Sequence, residues 1–110
     1  MKYVIMQLPL SNPAKFIGLD NVKRNGDMPS REDYVRVYEG DIYPVGEMED
    51  MLNDIYEILN VDHPSDYHAH SLSISDVVGL NVGIKCWEWE WYYVDSIGFK
   101  RIWEREDERI

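Results

Sequence analysis

The chain has 110 residues, of which 45% are hydrophobic and 13% aromatic, and its formal net charge is −10. These values exclude a disordered acidic tail, because such segments contain few aromatic residues. The length suits one compact domain over residues 1–110, and the charge argues against direct binding to nucleic acid, whose phosphates would repel it.

No stretch of the chain approaches the roughly 20 apolar residues that a membrane helix requires. The apolar run near the N-terminus is interrupted at Pro9, so it is too short for the apolar core of a signal peptide. The single Cys86 cannot form an internal disulfide, and nothing indicates an oxidising compartment. We therefore expect a soluble cytoplasmic protein with no membrane partner.

The negative charge is concentrated in the middle of the chain. Residues 37–84 contain ten acidic residues and no Lys or Arg, whereas residues 1–36 have a net charge of +2 and residues 85–110 of −2. An acidic segment of this kind is common in soluble proteins, but it is also typical of a negative surface that meets a positive one. Charge alone leaves both interpretations open.

The first half of the chain predicts a strand, a short helix and a second strand. "KYVIMQL" is rich in β-forming residues and ends at "PLSNP", which favours a strand. Asn12 before Pro13 predicts a helix that begins there and ends near Gly26, where a left-handed cap is easy for glycine. "DYVRVYEGDI" alternates as a strand with one covered face does.

Residues 46–61, "GEMEDMLNDIYEILNV", predict the strongest helix. Apolar residues recur at steps of three and four and form one stripe: they are Met48, Met51, Leu52, Ile55, Ile58 and Leu59. The rest of the surface is acidic, and no Lys lies four residues away to compensate it. The acidic residues are Glu47, Glu49, Asp50, Asp54 and Glu57.

Two further strands are predicted at roughly 70–80 and 86–95, joined by a turn around "NVGIK". The element order is then βαβαββ. We expect an α+β fold in which a small, mostly antiparallel sheet carries two helices on one face.

The stretch "HAHSLSISDVVGL" from His68 to Leu80 contains the residues that could carry chemistry. A serine hydrolase needs a serine on a strained turn next to a histidine, but His70 and Ser71 would face opposite sides of a strand. In a strand, Asp76 would point to the same side as the apolar residues of this stretch. We therefore expect it to be buried and held by hydrogen bonds or a cation. We expect this aspartate to act first as a structural pin.

A metal site is a further hypothesis for the same region. His68 and His70 would lie on one face of a strand, with His63, three aspartates (Asp62, Asp66 and Asp76) and Cys86 elsewhere in the chain. Zinc sites prefer several thiolates or imidazoles at short fixed spacing. The spacing here indicates such a site only weakly, and we predict neither a metal nor another cofactor.

"CWEWEWYYVDSIGF" places Trp87, Trp89 and Trp91 on one face of a strand and Glu88 and Glu90 on the other. Exposed tryptophan ringed by charge is typical of a protein-binding hot spot. Stacking on single-stranded nucleic acid would require Lys and Arg around the rings. The pattern does not decide whether the tryptophan face or the glutamate face is exposed.

Two segments of the chain resemble the YodL-like domain of conjugative elements, phages and plasmids. That family's pattern is an acid, a basic residue and proline, then G-H-S-[LM]-S-[VI]-S-D-[VI]-V, and later Y-Y-V-D-S-F-G-F. It corresponds here to residues 62–64, 70–78 and 92–99, with Ala69 in place of glycine and Ile97 in place of phenylalanine. The resemblance implies an accessory domain of mobile elements, often found with anti-restriction modules, and it brings no catalytic residues.

These observations lead to one main hypothesis: a non-enzymatic inhibitor of the anti-CRISPR or anti-restriction type. It would bind a basic host protein, such as a CRISPR nuclease or a restriction enzyme, in place of DNA or RNA. The predicted partner-binding residues are Glu47, Glu49, Asp50, Asp54, Glu57, Trp87, Trp89 and Trp91. Two alternatives remain: a small enzyme that uses His70, Ser71 and Asp76, and a protein-interaction module of conjugation machinery. The oligomeric state is left open.

Overall fold

The computed structural model describes residues 1–44, 46–61, 64–83 and 88–103. Its elements are β1 (Lys2–Gln7), α1 (Leu19–Asn25), a 3-10 turn (Arg31–Asp33), β2 (Val35–Asp41), α2 (Met48–Asn60), β3 (Val77–Asn81), β4 (Trp89–Val94) and β5 (Phe99–Ile102). The strands form one five-stranded sheet in the order β2-β1-β3-β4-β5, and every neighbouring pair is antiparallel. The predicted α+β class is confirmed.

The two helices lie on opposite faces of the sheet, which corrects the prediction that both lie on one face. Val4 of β1 belongs to the same core cluster as Leu19 of α1, whereas Ile5 belongs to a second cluster with Ile55 of α2. Successive strand residues point to opposite faces, and β1 is apolar at successive positions. Both faces of this strand must therefore be buried, and one helix packs against each face.

Helix α1 begins at Leu19, six residues after the predicted start at Pro13. The Asn12 side chain does accept a hydrogen bond from the amide of Ala14 at 2.9 Å, but Phe16 then adopts a positive φ of 66°. This conformation interrupts the first turns, so a regular helix forms only later. The predicted end is confirmed, because Gly26 has a φ of 74° and caps α1.

Residues 70–76 do not form the strand predicted for them. Asp76 closes a turn on Ser73: its carboxylate accepts the Ser73 amide at 2.8 Å, and its own amide donates to the Ser73 carbonyl at 3.0 Å. The chain joins the sheet only at Val77. A fifth strand, absent from the predicted order, follows the turn at Gly98, where φ is 71°.

The centre of the sheet depends on the absence of a side chain at Gly79 of β3. Trp91 is its neighbour on β4, and a Cβ built on Gly79 would lie 2.5 Å from Trp91 Cζ3 and 2.9 Å from Val4 Cγ2. Real Cβ atoms do not approach other atoms this closely. Glycine at this position therefore allows the indole ring to lie flat against the sheet.

In the part of the chain that the structure describes, none of the helices has the length and apolar character needed to cross a membrane.

Candidate functional site

The predicted acidic surface is present on α2. Its five carboxylates are all exposed, while the opposite side of the helix is buried in the core. None of the five takes part in the ion pairs formed by the described residues. These residues are Glu47, Glu49, Asp50, Asp54 and Glu57.

Two of the five carboxylates also have a structural role. Glu47 is the N-cap of α2, and its amide donates a hydrogen bond to Asp50 Oδ2 at 3.0 Å. The Glu47 side chain in turn accepts from the backbone at the third helical position, which completes a capping box. The side chains of Glu49, Asp54 and Glu57 make no hydrogen bond at the ends of the helix to any described residue, so their charges are available to a partner.

The tryptophans lie mainly in the core rather than on a binding surface. Trp91 is only 7% exposed and stacks on the half-buried Trp89, with ring centroids 5.7 Å apart. Trp103 meets the edge of Trp91 at the same distance of 5.7 Å, and the Arg31 guanidinium lies over both of these rings. Trp87 lies outside the described residues, and of the two predicted tryptophans that the structure describes, Trp89 is the one that presents part of its ring.

A second candidate site is a buried polar cluster around Asp76, whose side chain is fully buried. Its Oδ2 atom accepts hydrogen bonds from the Ser73 amide at 2.8 Å and from Gln7 Nε2 at 3.1 Å. Its Oδ1 atom accepts none from the described residues and faces Lys15 Nζ at 3.9 Å. Burial raises the pKa of Asp76 to about 6, against the opposing effect of these neighbours.

Lys15 and His70 complete this polar cluster, Lys15 as a buried side chain and His70 with a side chain that is 40% exposed. The Lys15 side chain is 4% exposed, and its ammonium lies 2.7 Å from His70 Nε2. Burial lowers the pKa of Lys15, and the charge of Asp76 opposes that effect. The other ring nitrogen, Nδ1, lies 2.6 Å from the Ser71 carbonyl oxygen, so a neutral ring donates from Nδ1 and accepts from Lys15 at Nε2.

A family model for the YodL-like domain matches residues 2–104. The chain belongs to the YodL-like domain family. Comparisons with curated proteins and with solved structures give no match.

The first signature segment of this YodL-like domain, residues 70–78, holds a distant loop in place. Ser75 Oγ accepts the amide of Phe16 at 2.9 Å, and the Ser75 carbonyl accepts the Tyr34 hydroxyl at 2.7 Å. Both Phe16 and Ser75 have positive φ values, of 66° and 86°. Strained backbone of this kind persists only where surrounding contacts enforce it.

The second signature segment, residues 92–99, holds the same loop from the other side. The Tyr93 hydroxyl donates to the Ile17 carbonyl at 2.7 Å, and Asp95 Oδ1 accepts the Leu19 amide at 3.1 Å. The latter bond satisfies an otherwise unpaired amide at the start of α1. Both signature segments of the YodL-like domain thus converge on residues 14–19, called here the anchored segment.

Of the residues in the enzyme hypothesis, the structure brings His70 and Asp76 together, with His70 Nδ1 4.0 Å from Asp76 Oδ2. His70 contacts the carbonyl of Ser71, and no hydrogen bond among the described residues joins its ring to the Ser71 hydroxyl. His68 is exposed, while Asp62, His63 and Cys86 lie outside the described residues. Within the described residues, no group of three or more His, Cys, Asp or Glu side chains could hold a metal.

The sequence predicts Asp76 as a buried pin but does not indicate its two principal side-chain partners. Gln7 ends β1 and Lys15 lies in the anchored segment, and the bond from Gln7 to Asp76 spans 69 positions. Gln7 could have been found, because in a strand it points to the same buried face as Tyr3 and Ile5. No periodic pattern marked Lys15, because it lies in a loop.

Proposed function

We propose that this YodL-like domain is a non-enzymatic accessory protein that binds a basic, nucleic-acid-handling protein in the cytoplasm. The observation that carries the proposal is the uncompensated acidic face of α2, defined as Glu49, Asp54 and Glu57 together with the capping residues Glu47 and Asp50. All five are exposed. Surfaces of one sign attract surfaces of the other and speed their association.

The spacing of these carboxylates supports competition with nucleic acid. Asp50, Asp54 and Glu57 follow each other at steps of four and three residues, so they form one row on the helix with neighbours about 5–6 Å apart. A single strand of duplex DNA carries a charge about every 3.4 Å along its axis. The row therefore presents negative charge at a density of the same order as a phosphate backbone.

The position of the basic residues also supports the proposal. Lys23 and Arg24 are exposed on α1, on the far side of the sheet from α2. These two cations therefore do not neutralise the acidic face. A partner that approaches α2 therefore meets carboxylates. The proposed partner is a CRISPR nuclease or a restriction enzyme, which a mobile element encounters in its host.

The apolar part of such an interface differs from the sequence-based hypothesis. Trp91 belongs to the core and cannot anchor a partner without leaving it. Trp89 is partly exposed and is the one of the two described tryptophans in the predicted binding set that remains available for contact. We therefore assign the main role to charge and a secondary role to Trp89.

The proposal is tested by displacement of labelled duplex DNA from a panel of CRISPR nucleases and restriction enzymes. The test variant carries the neutral substitutions Glu49→Gln, Asp54→Asn and Glu57→Gln and keeps the capping box. A matched control neutralises three acids of the other half, Asp20→Asn, Asp27→Asn and Glu32→Gln. We expect the first variant to displace DNA at least about tenfold less well and the control to stay within about twofold.

Salt provides a second arm of the same experiment. Displacement by the unchanged protein should weaken clearly between about 50 mM and about 200 mM salt, because the contacts are between charges. Equal loss in both variants, or displacement that is indifferent to salt, would refute the role of the acidic face.

A further inference from the structure

Lys15 and Gln7, both buried, form the polar floor of an open cleft of about 520 Å³ beside the ends of β1 and β2. The exposed His70 also lines this cleft, and the other lining residues are apolar. The wall residues Leu10, Phe16 and Val35 are 82%, 50% and 57% exposed. A cleft of this composition suits a ligand with an apolar body and one polar group directed at the floor.

Lys15 has the surroundings of a nucleophilic amine. Its Nζ atom lies 2.7 Å from His70 Nε2, and the Nδ1 contact to the Ser71 carbonyl leaves a lone pair on Nε2 to receive a proton. Lysines become reactive when they are desolvated next to an apolar pocket. The burial of Lys15 provides that desolvation, and Asp76 provides a negative charge 3.9 Å away.

The backbone around Lys15 is held in a conformation that costs free energy. The next residue, Phe16, has a positive φ, and its ring lies 4.8 Å from the Lys15 ammonium. The bonds from Ser75, Tyr93 and Asp95 fix the anchored segment. Strain that a fold enforces at one place is characteristic of binding and catalytic sites.

We propose that Lys15 is the reactive amine of a covalent ligand site and that the cleft accepts apolar aldehydes. Lys15 passes one ammonium proton to His70 Nε2, and the free amine attacks the carbonyl carbon to form a carbinolamine. His70 returns the proton to the departing hydroxyl, which leaves as water while the C=N bond forms. The product is a protonated imine, and the nearby Asp76 carboxylate balances its positive charge.

This site is independent of the acidic face and requires no catalytic turnover. It is tested on the full chain with hexanal and sodium cyanoborohydride near neutral pH, followed by peptide mapping of the alkylated lysines. Exposed Lys23 and Lys100 serve as internal references. We expect Lys15 to be labelled at least about tenfold faster than either, because an ordinary exposed lysine is almost fully protonated near neutrality.

Further comparisons test whether the faster labelling of Lys15 depends on binding in the cleft or only on the reactivity of its side chain. Glyoxylate, a polar aldehyde, should show no preference for Lys15. Leu10→Asp, which places a carboxylate on the cleft wall, should abolish the preference for hexanal, whereas the matched change Ile97→Asp, at a residue that is 84% exposed in another turn, should keep it. His70→Asn should slow the labelling of Lys15 with unchanged circular dichroism.

The proposal is overturned if hexanal labels Lys15 no faster than Lys23 or Lys100 in the unchanged protein. It is also overturned if Leu10→Asp and Ile97→Asp label alike. Neither result affects the acidic face, because DNA displacement by the Glu49, Asp54 and Glu57 variant is measured separately.

Discussion

The amide of Phe16 donates a hydrogen bond to the Ser75 hydroxyl at 2.9 Å, across 59 positions of the chain. Both residues have a left-handed backbone, with φ values of 66° and 86°. The pair joins the anchored segment to the first signature segment of the YodL-like domain. Because each strained backbone is stable only in the presence of its neighbours, the contact is a sensitive point of the fold.

Ser75→Ala should lower the free energy of unfolding by about 1–3 kcal/mol, because it leaves the partly buried Phe16 amide without an acceptor. Ser73→Ala is the matched control: its hydroxyl donates to the Ser71 carbonyl at an exposed site, and its loss should cost less than about 0.5 kcal/mol. Urea denaturation of the three proteins measures both effects. Equal stability of the two variants would contradict the role assigned to Ser75.

Asp76 should make stability depend on pH in a defined direction. Its pKa is raised from 3.8 to about 6 in the folded protein, so the folded state binds the proton more tightly than the unfolded chain. The contribution of Asp76 to stability is therefore fully present below about pH 4 and is lost as the pH rises through about 6. The loss amounts to at most about 3 kcal/mol.

The pH effect of Asp76 is isolated by comparison with Asp76→Asn, whose single oxygen can still accept from Ser73 and Gln7. Other carboxylates titrate alike in both proteins, so the difference in unfolding free energy should change in favour of the variant between about pH 4 and pH 6. Denaturant titrations at several pH values measure this difference. A difference that stays constant over that range would show that the carboxyl titrates as it does in the unfolded chain.

Gly79→Ala should lower the unfolding free energy by about 2–3 kcal/mol, since the new methyl group would overlap the ring of Trp91 and force the core to move. Gly26→Ala provides the contrast: no atom lies within 4 Å of a Cβ there, and only the left-handed φ of 74° opposes it, at about 1–2 kcal/mol. Thermal unfolding followed by tryptophan fluorescence should also show a changed Trp91 signal in Gly79→Ala alone.

Asp50 and Asp54 should differ in their effect on stability although both are exposed acids on α2. Asp50→Ala removes the acceptor for the Glu47 amide and should cost about 1 kcal/mol. Asp54→Ala removes an unpaired charge among like charges and should change stability by less than about 0.5 kcal/mol. Circular dichroism during urea unfolding separates the two. If both cost the same, the capping box is not what stabilises this end of the helix.

The sequence indicated those elements whose pattern is local. The stripe of α2 is confirmed, with Met51, Leu52, Ile55 and Leu59 buried, because a helix repeats its environment every few residues. Strands β1 and β2 were likewise predicted from their sequence patterns. The alternating serines failed as a strand signal, since Asp76 turns the chain back on Ser73, and side-chain hydrogen bonds of this kind leave no period in the sequence.

The candidate sites differ in the same way. The acidic face could be predicted because all its residues lie on one helix or its N-cap and fall within eleven positions. The cluster of Lys15, His70 and Asp76 could be predicted only in part, because its members come from segments more than 50 residues apart. Burial of Asp76 indicated that a cation or donor was required, but it did not indicate which one.

The interior position of β1 has a consequence for biosynthesis. Strand Lys2–Gln7 leaves the ribosome before the other strands of its sheet, yet one of its two partners, Val77–Asn81, is made much later. A nascent chain can pair β1 with β2 early, but the opposite edge of that hairpin stays open until about forty further residues have been translated, at about 5–20 residues per second. For those few seconds the newborn protein exposes an apolar strand edge, the kind of surface that chaperones bind.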